Sequence, residues 1–310
     1  MTSPSTAALL PGSRQDPEGL LRKLELSVTR RLDGLLQGDY RGLIPGPGTE
    51  ADDARPYEPG DDVRRIDWPL TARSGTPHVR NTIADRELEA WAVVDGSASM
   101  EFGTATCTKR HLAIAAVAAL GFLTARGGNR VGAMVLTGGR PRIVPPRSGR
   151  PSLMALLHTV AVRPATGDGT SVDLADGIRR AGQTARRAGL VAVISDFLCP
   201  SDWSAALRSL AVRGHVIAIE IVDPRELELP NVGHLTLVDP ETGRMRDVHT
   251  ASDALRARYA EAAAAQRADH ARAIKKAGAA HLVLRTDRDW VLDIARFVRM
   301  SRRVGHDQKR

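Results

Sequence analysis

Between Leu88 and Arg302 short apolar runs alternate with segments of helical spacing, and this alternation narrows the architecture more than any other feature of the chain. The runs Leu88–Val94, Val131–Thr137, Leu190–Ser195, Val216–Val222 and His281–Leu284 are nearly unbroken in Val, Ile, Leu and Ala. Such runs suit strands covered on both faces. Helical patterns fill Lys109–Arg126, Pro151–Val160, Ser171–Ala188, Ser201–Val212, the stretch from the Ser252 cap to Lys276, and Asp289–Arg302. The expected class is therefore α/β, with a doubly wound, mostly parallel sheet. Arg142–Val144 reads as a strand folding back after Gly138-Gly139. Residues 223–250 read as a hairpin turning at Asp239-Pro240-Glu241-Thr242-Gly243.

In this reading residues 87–304 form the main domain and 305–310 a basic tail. Residues 1–16, rich in Ser, Pro and Gly, are expected to be a disordered tail, and 17–86 a helix (Pro17–Leu36) followed by an irregular segment. The stretch from Gly38 to Thr82 is too long for an ordinary loop, so its order has to come from packing on a neighbour. Asp61, Asp62 and Asp67 read as turn residues and as ion-pair partners for Arg64, Arg65 and Arg73, with a second metal site as the alternative, and Trp68 as a buried anchor rather than a ligand-stacking ring.

The run ending at Val94 leads into Asp95-Gly96-Ser97-Ala98-Ser99-Met100. Open α/β sheets place ligands at the carboxyl ends of their strands. This loop offers one carboxylate and two hydroxyls at alternate positions, all hard oxygen donors of the kind Mg²⁺ takes. Two more oxygen donors occupy corresponding places: Thr170 in Gly167-Asp168-Gly169-Thr170 before a helical segment, and Asp196 after the run Leu190–Ser195.

D-x-S-x-S, a distant G-T before a helix, and S-D after a later strand resemble the metal-ion-dependent adhesion site of von Willebrand factor A domains. Upstream, Arg55-Pro56-Tyr57-Glu58-Pro59-Gly60-Asp61-Asp62-Val63-Arg64-Arg65-Ile66-Asp67-Trp68, then Thr71-Ala72-Arg73, resembles the signature of the bacterial domain of unknown function 58 family. The similarity runs from about residue 20 to the end and departs at Thr49-Glu50-Ala51, where relatives usually carry an aromatic after the glutamate. The resemblance implies a von Willebrand A-like fold and a Mg²⁺ ion, with Mn²⁺ as a substitute. It implies Ser97, Ser99 and Thr170 as direct ligands, with Asp95 and Asp196 acting directly or through water. It also implies that an acidic residue of another protein completes the ion's shell. The implied partner is a MoxR-type AAA+ ATPase, with this chain as adaptor or co-chaperone for a client protein.

The chain has 310 residues, 42% apolar, enough for a large packed core. No apolar run reaches membrane-spanning length, and Met1–Gln15 lacks the basic-then-apolar order of a signal peptide, so a cytoplasmic location is expected. The 2 cysteines, Cys107 and Cys199, read as reduced thiols. The net charge of +8 gathers in late arginines such as Arg296, Arg299, Arg302 and Arg303, and in Arg179, Arg180, Arg186 and Arg187. Those residues read as solvated helix faces, with nucleic-acid binding as the alternative. No Walker A spacing or G-x-S-x-G elbow occurs, and His111, His158 and His215 stand singly. The expectation is a protein without enzymatic activity, with a metal-dependent hydrolase as the remaining enzymatic alternative.

Overall fold

The structure, a computed structural model, describes residues 54–57, 66–80, 88–125, 129–162 and 173–307, together with Leu24, Arg31, Leu32, Leu35 and Val63. Ahead of the main sheet, β1 (Ala54–Pro56) and β2 (His78–Arg80) pair antiparallel. Helix α1 (Trp68–Ser74) lies between them, capped by Asp67, whose side chain accepts the Leu70 amide at 3.1 Å. This aspartate thus satisfies a helix end, as a turn residue should. Trp68 is not the buried anchor expected from its size, since it is 67% exposed. The helix is under two turns long and buries none of its residues, the indole included.

The main sheet holds β3 (Glu89–Val94), β4 (Arg130–Val135), β5 (Arg142–Arg147), β6 (Ala188–Ser195), β7 (His215–Val222) and β10 (Ala280–Arg285). Their spatial order is β10-β7-β6-β3-β4-β5, parallel throughout except for β5, which runs antiparallel to β4. The strand at 142 runs three residues beyond the expected Val144, through Pro145 and Pro146. Prolines cannot donate to a ladder, and an edge strand is where a sheet tolerates them. Between β7 and β10 the chain makes a separate hairpin of β8 (His234–Val238) and β9 (Met245–His249), turning where the sequence places it.

Helices α2 (Lys109–Ala125), α3 (Arg150–Ala161), α4 (Leu174–Thr184), α5 (Trp203–Ala211), α6 (Asp253–Ala277) and α7 (Trp290–Asp307) cover both faces. Side chains alternate across a strand. Accordingly Ala90, Ala92 and Val94 pack with α2, α3 and α7 on one face. Trp91 and Val93 pack with α4, α5 and the Ile274–Ala277 end of α6 on the other. Leu24 and Leu32 are buried in the α2-side core, and Arg31 pairs with Asp289 at 2.5 Å. Helix α4 is shorter than expected. Asp173 caps it by accepting the Asp176 amide at 3.0 Å, and the chain leaves it at Ala185 to begin β6 at Ala188.

The strand order fixes where a ligand site belongs. From β3 the chain winds outward through β4 and β5, then returns to β6 on the opposite side of β3 and continues to β7 and β10. The carboxyl ends of β3 and β6 are therefore the topological switch point, where open sheets leave a crevice. No helix among the described residues is long and apolar enough to cross a membrane.

Candidate metal centre

Val94 and Ile194 face each other at the ends of β3 and β6, and each strand hands the chain to a loop containing an aspartate. The Asp95 amide donates to the Ile194 carbonyl at 2.9 Å, tying the loops together. Asp95 is buried; its Oδ1 accepts the Ser97 amide at 2.9 Å and its Oδ2 accepts the Ser195 hydroxyl at 2.5 Å. The 3-10 turn Ala98–Glu101 then brings Ser99 Oγ to 3.1 Å from Ser97 Oγ. Ser99 Oγ in turn donates to Asp196 Oδ2 at 2.7 Å. Four of the five predicted donors, Asp95, Ser97, Ser99 and Asp196, thus share one small volume. The fifth, Thr170, lies outside the described residues.

Asp196 is presented by a strained turn. Phe197 holds φ 58°, a left-handed backbone that a bulky side chain rarely adopts. Its ring is buried edge-on against Trp203 at 4.8 Å, and its amide donates to Ser195 Oγ at 3.0 Å. Strain of this kind persists only where packing over-determines it, and it gathers at functional sites.

The donor set fits a hard divalent ion. Neighbouring oxygens around an octahedral Mg²⁺, with metal–oxygen distances of about 2.0–2.1 Å, lie about 2.9 Å apart. The Ser97, Ser99 and Asp196 oxygens are spaced at 3.1 and 2.7 Å. Among the described residues no group of three His, Cys, Asp or Glu side chains could hold a metal, so an ion at this place would draw on the hydroxyls. Asp196 has both oxygens engaged, Oδ1 by the Leu198 amide at 3.0 Å and Oδ2 by Ser99 and Lys109. Its part is to orient Ser99 and supply charge.

A buried ionic network that the sequence reading missed surrounds this set. Lys109, fully buried at the start of α2, donates to Asp196 Oδ2 at 2.6 Å and to Glu226 Oε1. Arg267 of α6 donates to Glu226 at 3.4 Å and to Glu220 of β7 at 2.5 Å. The same arginine reaches the Asp196 carbonyl at 3.3 Å. Asp196, Glu220 and Glu226 thus face Lys109 and Arg267, three carboxylates against two cations, with one negative charge left over when the histidines are neutral. Burial, and then the charge of Asp196, push the Asp95 carboxyl up to about 6. Burial acts on Asp196 in the same direction, but the Lys109 charge and the hydrogen bonds from Lys109, the Leu198 amide and Ser99 together bring Asp196 below its usual range. Two cations, Lys109 and Arg110, in the first turn of an otherwise apolar helix were the available signal. The helix dipole opposes a positive charge there, so a carboxylate had to meet it.

Glu220 carries a pH prediction. Burial alone would raise its carboxyl, but hydrogen bonds from His270 at 3.1 Å and His281 at 2.9 Å, and the Arg267 guanidinium, hold it well below its ordinary 4.5. A carboxyl depressed on folding adds stability that is complete above its unfolded value and is lost as pH falls toward the folded one. Thermal melts of Glu220→Gln should show about 2 kcal/mol less stability than wild type at pH 7. That difference should shrink as pH drops below about 4.5. A difference constant from pH 7 to pH 3 contradicts the assignment.

The other residues singled out in the sequence lie apart. His111, His158 and His215 fall on α2, α3 and β7, and both cysteines are free, the buried Cys107 thiol pushed up to about 11 by burial. Arg179 and Arg180 lean on Asp176 at 3.8 and 2.6 Å, and Arg296 lies 3.5 Å from Asp293.

Residues 53–269 match the family model described as "Protein of unknown function DUF58". The chain belongs to that family. The DUF58 match begins just ahead of β1 and ends within α6, so it includes every residue of the predicted donor set. An uncharacterised protein of Mycobacterium tuberculosis is 52% identical over 304 residues, 96% of this chain and 96% of its own. An uncharacterised protein of Mycobacterium avium is 48% identical over 160 residues, 52% of this chain and 94% of its own. Among solved structures, the conserved hypothetical protein BatB of Bacteroides thetaiotaomicron superposes on 70% of this DUF58 chain and 99% of its own, at 15% identity and a TM-score of 0.45. The SpRpn10 VWA domain does so over 69% and 94%, at 12% identity and a TM-score of 0.39.

Proposed function

We propose that this DUF58 protein is a non-enzymatic interaction module that engages other proteins through a bound Mg²⁺ ion, with Mn²⁺ able to replace it. One observation carries the reading: the Ser97 and Ser99 hydroxyl oxygens stand at octahedral-edge spacing, with Asp196 bonded behind Ser99, at the switch point of the sheet. Ser97 and Ser99 would hold the ion directly, joined by Thr170 on the family resemblance. Asp95 orients the Ser97 amide, and Asp196 orients the Ser99 hydroxyl, each adding negative charge behind the hydroxyls. When bound, the ion supplies an electrophilic position that a carboxylate of a partner can take in place of water. Lys109 keeps Asp196 ionised and pointed at Ser99.

The partner in this reading is a MoxR-type AAA+ ATPase, with the protein acting in the cytoplasm as adaptor or co-chaperone while a client is assembled or remodelled. The test is capture of that ATPase from the same organism on the immobilised full-length protein, in Mg²⁺ and in chelator, beside Asp95→Ala. Retention should require Mg²⁺ and fall at least about tenfold in the variant. Equal retention in all three arms contradicts metal-mediated docking.

A further inference from the structure

The hairpin between β7 and α6 brings a third acidic side chain, beside Asp95 and Asp196, to the candidate ion site. Glu241, at the hairpin turn, accepts the Ser99 amide on its Oε1 at 3.0 Å, across 142 residues of sequence. Ser99 is the residue whose hydroxyl links Ser97 to Asp196. The Glu241 carboxylate therefore sits, exposed, against the loop that carries the donor hydroxyls.

The turn is built to hold that position. Pro240 fixes one backbone angle, and the Asp239 carboxylate accepts the Glu241 amide at 3.0 Å and the Thr242 hydroxyl at 2.5 Å. Gly243 (φ 71°) completes the reversal, with its amide donating to the Asp239 carbonyl at 2.8 Å. At the other end the hairpin is joined to the body by a narrow base. Thr250 donates from its amide and hydroxyl to the Gly233 carbonyl at 2.6 and 2.8 Å, and Gly233 itself lies at φ 78°. A two-stranded ribbon with a braced tip, tied to the body through buried Thr250 and its bonds to Val232, Gly233 and Arg256, can shift about that base as a unit, since its own strands add little independent stability.

We propose that Glu241 is an in-chain ligand of the ion site, one that occupies the position a partner's carboxylate would take, so that docking requires the hairpin to move aside. This rests on the metal reading above. It adds that the free protein is self-capped. A tethered carboxylate competes at the millimolar effective concentrations typical of short tethers, so only an acidic partner with further contacts would displace it.

The probe is Mn²⁺ alone, titrated into the full chain and followed by electron paramagnetic resonance and by water-proton relaxation. Glu241→Gln keeps an oxygen for the Ser99 amide and removes the charge. It should weaken Mn²⁺ binding by about tenfold and raise the relaxation per bound ion, because a water replaces the lost carboxylate. Unchanged or tighter binding, with unchanged relaxation, overturns the capping role and leaves the metal site standing. No Mn²⁺ binding by the wild-type protein overturns the capping role together with the metal site.

Discussion

Replacing Lys109 with Met is expected to destabilise the protein by about 3–5 kcal/mol, the cost of leaving a buried carboxylate without its partner. The side chain is 0% exposed and lies between Asp196, 2% exposed, and Glu226, 15% exposed. Burial works against its charge, and the two carboxylates more than compensate, so its ammonium is held above the ordinary lysine range. Met fills the space but returns nothing to either oxygen. For a domain of this size the thermal midpoint should fall on the order of 10 °C. The damage should also reach the ion site, because Asp196 would lose the cation that keeps it ionised beside Ser99. A melt within about 2 °C of wild type would show that the Lys109 pairs contribute little.

The second large effect concerns the ion. A ligand that binds only the folded state, present at a hundredfold its dissociation constant, stabilises by about 2.7 kcal/mol. Saturating Mg²⁺ should therefore raise the wild-type midpoint over that in chelator by roughly 5–10 °C. The double variant Ser97→Ala, Ser99→Ala should lose that shift. Both hydroxyls are partly exposed, and the removals delete the Ser97–Ser99 bond within the loop and the Ser99–Asp196 bond across to the β6 loop, while Asp196 keeps Lys109 and the Leu198 amide. The variant should therefore fold with a midpoint in chelator close to wild type. A Mg²⁺ shift of the same size in the variant would place the ion elsewhere.

Most of the architecture is readable from the alternation of buried runs and helical segments, because a parallel strand and its covering helix each leave a local pattern. The donors Asp95, Ser97 and Ser99 are readable for the same reason: they lie in one loop, and loop geometry is set by neighbours in sequence. Asp196 follows from its place after a second buried strand. Glu226, Arg267 and Glu241 are invisible to that logic, and Lys109 shows only as a cation in the first turn of its helix. Each is an ordinary charged residue on its own element, and its role exists only once α2, the segment after β7, α6 and the hairpin converge. Trp68 misleads in the opposite direction. Its size argues for burial, yet burial depends on a neighbour that a seven-residue helix at the periphery does not have.

The most direct test of the central claim is anomalous diffraction from crystals of the protein grown or soaked with Mn²⁺. One strong anomalous peak is predicted at bonding distance, about 2.1 Å, from the hydroxyl oxygens of Ser97 and Ser99. Data of good quality with no peak beside those hydroxyls, or with Mn²⁺ bound only at other acidic surfaces, would contradict it.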